Sequence, residues 1–169
     1  GRLFVPSLTA LSAVSGRGRH ATQFHNGDRF FLDELSQFVG AALRLGEPVV
    51  LVTNETTRVG VNERLQGRGF DLESLTARRQ YSAQDSADGL AQVMHDGRVD
   101  RDCLAAIIDG LERSRTTLVD EPQGRLTMVG DIAIPLCRTG NFEAAIEIEQ
   151  IWNELTRTLP FFTLCLYPA

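Results

Sequence analysis

Five short groups of residues in this chain are of the types that do chemistry: His25-Asn26-Gly27-Asp28, Thr53-Asn54, Tyr81-Ser82, Asp131 and Glu149. The first is the most suggestive. It stands between a segment ending at Phe24 and an amphipathic run beginning at Arg29, where a nucleotide-binding α/β protein carries a glycine-rich phosphate loop closed by a lysine. No lysine follows here, and all 17 cationic residues of the chain are arginine. A phosphate-loop lysine, a Schiff-base lysine for pyridoxal phosphate and a lysine general base are therefore excluded.

The remaining groups support no familiar catalytic set. Asp131 ends an apolar segment, as does the acid that holds Mg²⁺ through water in an ATPase, but without a phosphate loop that metal has little to bridge. For Asp131 a helix cap and a ligand-facing acceptor stay open; for His25, a hydrogen-bonded structural role and ligand contact stay open. Glu149 falls beside the apolar stripe of the last helix and is expected to bond a neighbouring backbone group or an arginine, because a buried unpaired charge is costly. His20, His25 and Asp131 have no metal-ligand spacing, and Cys103, Cys137 and Cys165 form no CxxC pair. Gly16-Arg17-Gly18 lacks the third glycine of a dinucleotide fingerprint and precedes its strand instead of following it. No metal, no cofactor and no enzymatic activity are expected.

These residues have to be held by a scaffold, and the hydrophobic pattern gives one. Ala21 to His25 reads as a short first strand. Arg29 to Leu45 carries Phe30, Phe31, Leu35, Phe38, Val39, Ala42 and Leu45 at helical spacing, with Asp28 as its cap and Gly46 as its stop. Pro48 to Thr53 is a continuous apolar run, as a parallel strand covered on both faces requires. A helix over 55–66, a short strand near 79–81, helices over 85–95 and 100–118, a strand over 125–130 and a short helix over 132–138 follow. Pro122-Gln123-Gly124 breaks the chain before that strand. The last helix, 142–159, places Phe142, Ala145, Ile146, Trp152, Leu155 and Leu159 on one broad face and leads to a final strand, 161–167. Trp152 and the Phe30-Phe31 pair read as core. Alternating strands and helices predict a three-layer α/β domain with a mainly parallel sheet. Its ligands should gather at the strands' carboxyl ends, which on this assignment collect His25, Asn26, Asp28, Asn54, Tyr81 and Asp131.

Composition bounds the partners. A chain of 169 residues, 43% hydrophobic and 23% charged, suits one globular domain. A formal charge of −5 argues against nucleic acid, whose phosphates need clustered cations. No run approaches the roughly 18 apolar residues of a membrane helix. Three isolated cysteines suggest reduced, mostly buried thiols in a cytoplasmic protein. Residues 1–19 read as an N-terminal extension, interrupted at Pro6-Ser7 and packing on the domain or on a second copy, and 20–169 as the domain itself.

Several passages together resemble a known family. His20-Ala21-Thr22-Gln23-Phe24, the run from Leu43-Arg44-Leu45-Gly46-Glu47-Pro48 to Thr53, Gly69-Phe70-Asp71-Leu72, and the end from Gly140-Asn141-Phe142 through Glu149, Trp152-Asn153-Glu154-Leu155 and Leu164-Cys165-Leu166-Tyr167-Pro168 resemble the MEDS domain, the methanogen/methylotroph DcmR sensory domain. The likeness spans about residues 20–168. It implies a relative of the RecA/KaiC-type ATPases that has lost the phosphate loop. It further implies a non-enzymatic input domain of bacterial regulators and sensor kinases, in signal transduction and transcription regulation, with small organic compounds such as halogenated hydrocarbons as signals. Partners would then be a small organic molecule and a regulatory protein or histidine kinase; apart from the resemblance, the N-terminal extension or the strand edge could dock a second copy in a homodimer. Two positions depart from the family pattern: His25 stands where Tyr usually follows Phe24, and Gly130-Asp131-Ile132 where Gly-Glu-Met usually ends the strand.

Overall fold

The computed structural model describes residues 17–118 and 124–169. Most of the expected N-terminal extension and the expected break at Pro122-Gln123 lie outside them. In chain order the elements are β1 (Arg19–His25), α1 (Arg29–Arg44), β2 (Val49–Thr53), α2 (Glu55–Gly67), α3 (Leu72–Ala77), β3 (Tyr81–Asp85), α4 (Ser86–Val93), β4 (Met94–His95), β5 (Arg98–Val99), α5 (Arg101–Leu118), β6 (Leu126–Gly130), α6 (Ala133–Arg138), α7 (Phe142–Thr156) and β7 (Phe161–Pro168).

Five strands form one sheet in the order β1-β7-β6-β2-β3, and every pairing is parallel. Chain direction sorts the helices. From β1 to β2 to β3 the chain steps one way across the sheet, and from β3 to β6 to β7 it steps back; right-handed crossovers therefore put α1, α2 and α3 on one face and α4 to α7 on the other. The core divides accordingly. Leu35, Phe38, Val39, Val61 and Leu65 pack on one side of the sheet with Leu51, Phe162, Leu164 and Leu166. Val93, Leu104, Ile108, Ala144 and Ile148 pack on the other with Leu126 and Phe161. This is the expected three-layer α/β domain.

Alternation along the strands decides which side chains meet. In β7 the even residues Phe162, Leu164 and Leu166 belong to the α1 side, while Phe161 and Tyr167 pack on the α7 side. In β1, Ala21 packs on the α1 side, His25 stacks on Phe31 of α1, and His20 reaches Asn153 of α7. His20 and His25 are five residues apart and so point to opposite faces.

Side chains close the helix ends. Asp28 accepts from the Phe31 amide, Asn54 from Thr57, Asp71 from Ser74, Asp100 from Cys103 and Asn141 from Ala144, each satisfying an amide that the helix cannot. Glu47 of the Gly-Glu-Pro turn is fixed by Arg125 at 2.9 Å, whose guanidinium lies 5.0 Å from the Phe162 ring centroid.

Several expectations need correcting. Residues 72–77 form a helix, Arg79 takes a left-handed turn conformation, and the third strand begins only at Tyr81. As an edge strand with just its first residue buried, it carries little of the hydrophobic signal that marked the others. The helix expected over 85–95 ends at Val93, and Asp96-Gly97, both with positive φ, turn a two-stranded hairpin, for which Asp-Gly is a strong signal. Phe30 of α1, Leu45 just after it, and Phe142 and Ile146 of α7 are exposed; α7 buries Ala145 as expected, together with Ala144, Ile148 and Ile151. Of the three free thiols, Cys103 is exposed and the other two are half-buried. No helix of the described residues is long and apolar enough to cross a membrane.

Leu35 has no exposed surface and sits where α1 meets the sheet. Leu35→Ala should cost about 2–5 kcal/mol of stability, read by urea denaturation; a loss under about 1 kcal/mol would mean that α1 is not packed as described.

Candidate functional site

The carboxyl edge collects fewer of the expected residues than the sequence suggested. Asp28 is engaged as the α1 cap, and Asn26 is exposed. Tyr81 opens β3, so it lies at the opposite, amino edge, buried, with its hydroxyl donating to Asn62 Oδ1 at 2.5 Å. Asn54 and Asp131 do meet: one Asp131 carboxylate oxygen accepts from the Asn54 backbone amide at 3.1 Å and from its side-chain amide at 3.0 Å. Asp131 is therefore tied to a neighbouring strand end and does not cap α6, whose N-cap is Ile132. Its other carboxylate oxygen is buried without a hydrogen-bond partner among the described residues, and so is His25 Nδ1. The His25 ring lies 3.9 Å from that of Phe31, the two 6° from parallel. Burial pulls its pKa below the ordinary value, against the opposing pull of Asp131 and Asp28.

A cavity of about 110 Å³ opens on the other face of the sheet. Its floor is Val52, Gln84, Met128, Gly130, Thr163 and Cys165; Gly89, Gln92 and Val93 of α4, Leu104 and Ile107 of α5, and Ile148, Glu149 and Trp152 of α7 enclose it. Gly89 leaves the wall close to the sheet, since a Cβ there would lie 3.1 Å from both Val52 Cγ1 and Gln84 Nε2 and push them back by a few tenths of an ångström. The cavity touches Gly130 and Ile132, whereas the residue between them, Asp131, turns to Asn54.

Polar groups converge where β7, β1 and α7 meet. Trp152 donates its indole N–H to Thr163 Oγ1 at 2.8 Å. The Tyr167 hydroxyl donates to Glu149 Oε1 at 3.0 Å, and the Cys165 thiol lies 3.6 Å from the same oxygen. His20 completes the group, with Nε2 at 2.8 Å from Cys165 Sγ and Nδ1 at 2.7 Å from Asn153 Oδ1. Glu149 was expected to bond backbone or an arginine; a phenol and a thiol hold it instead. Burial, and then the Glu149 carboxylate, push the Cys165 thiol and the Tyr167 hydroxyl well above their ordinary pKa values, so both remain protonated donors at neutral pH. Imidazole, thiol and carboxylate together are also the donor types that transition metals accept.

The sequence held the signals for this cluster. Thr163, Cys165 and Tyr167 alternate, so they share one face of a strand. Glu149 is followed by Trp152 and Asn153 at i+3 and i+4, so those three share a helix side.

A family model described as MEDS, the MEthanogen/methylotroph, DcmR Sensory domain, matches residues 19–169. No curated protein matches the chain.

The half-buried His25 ring gives a test by pH. Its pKa is lower in the fold than the roughly 6.5 of an unfolded chain, so the unfolded state takes the proton first. The stability it contributes is present above that value and is lost as the pH falls through the folded pKa. His25→Phe keeps an aromatic ring on Phe31 and removes the titration, and should flatten the decline in stability between about pH 7 and pH 5. A wild-type slope that survives the substitution contradicts this.

Proposed function

The chain belongs to the MEDS family of sensory domains, and on that premise we propose that it binds a small, mostly apolar organic molecule in the cavity beneath α4, α5 and α7 and relays its presence to a partner or output domain. The observation that carries this reading is the cavity's lining. Apolar side chains from three helices and the sheet surround most of the space, with Glu149, Thr163 and Cys165 on its β7 side and Gln84 of β3 and Gln92 of α4 across from them. That pattern suits a ligand with a hydrocarbon or halocarbon body and a few hydrogen-bonding groups. A cavity of roughly 150 Å³ admits benzene, so one of about 110 Å³ suits a molecule of a few heavy atoms. Nothing in this chemistry calls for a covalent step, and the proposed role is non-enzymatic.

Relay requires that the ligand favour one state of the protein over another. Helix α7 is the element best situated for it, since Ile148, Glu149 and Trp152 line the cavity while Phe142 and Ile146 offer exposed apolar surface to a partner. The carboxyl edge supports a second reading, a polar ligand held by His25, Asn26, Asn54 and Asp131; the buried atoms His25 Nδ1 and Asp131 Oδ1, without a hydrogen-bond partner among the described residues, favour it.

Trp152 is the chain's one tryptophan and touches the cavity, so its fluorescence reports occupancy. One- to four-carbon alcohols and halogenated methanes should include ligands that shift its emission saturably and raise the melting temperature with concentration. Ile107→Phe, which fills the cavity from α5, should weaken that binding about tenfold or more. A panel in which no compound changes either signal, or in which Ile107→Phe binds as the wild type does, would refute the cavity reading.

A further inference from the structure

The polar cluster beside the cavity carries an inference that needs no organic ligand. His20 of β1, Glu149 of α7 and Cys165 of β7 each offer one donor atom, and these atoms lie within 4.8 Å of one another, the one such trio among the described residues. His20 Nε2 is 2.8 Å from the Cys165 sulfur and 3.8 Å from Glu149 Oε2, and that oxygen is 3.7 Å from the sulfur. An ion held at about 2.0–2.3 Å by imidazole, thiolate and carboxylate in tetrahedral geometry separates its donors by about 3.3–3.6 Å. Two edges of the triangle are already close to that size. The third must open by several tenths of an ångström, and His20 is carried by an edge strand.

The surroundings prepare all three donors. Asn153 Oδ1 can only accept, so the proton of a neutral His20 sits on Nδ1 and the Nε2 lone pair faces the cluster. The Tyr167 hydroxyl occupies Glu149 Oε1 and leaves Oε2 turned toward His20. Outer partners of this kind orient metal ligands and fix their tautomers. One thiol proton is left to serve three atoms that all carry lone pairs.

We propose that His20, Glu149 and Cys165 bind a single zinc-class divalent metal ion, with its fourth coordination position available on the cavity side. As the metal–sulfur bond forms, the Cys165 thiol proton leaves to solvent, and no electrons change hands. Three protein donors with one further position is the pattern of zinc sites that accept a water or an exogenous ligand.

Titration of tag-free protein with Zn²⁺ by calorimetry and with Co²⁺ by absorbance tests this. One ion per chain is expected, with a thiolate-to-cobalt charge-transfer band in the near ultraviolet. His20→Ala and Cys165→Ala should each weaken binding about tenfold or more, Asn153→Ala by about 10–100-fold, and Cys103→Ser should change nothing. If Cys165→Ala does not fold, His20→Ala decides alone, because its side chain lies on the edge strand. No saturable binding, or binding and band unchanged in His20→Ala, overturns the proposal. Either outcome is independent of whether the cavity takes an organic molecule.

Discussion

Strand β7 is covered on both faces by layers of different character, and the rest of the molecule depends on that asymmetry. Its even residues are aliphatic and aromatic and pack against α1. On its other face Thr163 is bonded by Trp152, and Cys165 and Tyr167 lie against Glu149. A shift of one residue would exchange the two sets, burying a carboxylate's partners in the aliphatic layer and leaving Leu164 and Leu166 against Glu149. Parallel pairing on both sides, to β1 and β6, holds the register that prevents this.

The same asymmetry explains how the two ends of β1 come to differ. His20 faces the polar side and joins Glu149 and Cys165, whereas His25 faces the aliphatic side, where it has only an aromatic ring to stack on. Both are on the edge strand of the sheet, yet one is hydrogen-bonded through both ring nitrogens and the other keeps a buried nitrogen without a partner among the described residues. Sheet twist and helix placement do not have to be invoked for this; the alternation of side chains along a strand is sufficient.

The sequence was most legible where hydrophobic periodicity was strong and uniform. Helix α1, strand β2 and helix α5 fall close to the positions read from spacing alone, and Asp28 caps α1 as its residue type suggested. Legibility failed where apolar residues surrounded an element or were scarce in it. Helix α7 has apolar residues on nearly every side, so Phe142 and Ile146 could not be told from Ile148 and Ile151 by period. Strand β3 is polar along most of its length, so its pattern does not mark where it begins, and Tyr81 lies at the amino edge and not the carboxyl edge. The cavity was illegible for another reason. Its existence depends on how far α4, α5 and α7 stand from one another and from the sheet, and spacing within one helix does not encode the distance between helices.

The proposed ligand chamber lies under α4, α5 and α7 and not at the His25 to Asp28 loop. Methyl-resolved NMR during titration with a small alcohol or halomethane discriminates between the two most directly. The account predicts shifts concentrated at Val52, Leu104, Ile107 and Ile148, which line the cavity. Shifts confined to the neighbourhood of His25 and Asp131, with those four methyl groups unmoved, would contradict it.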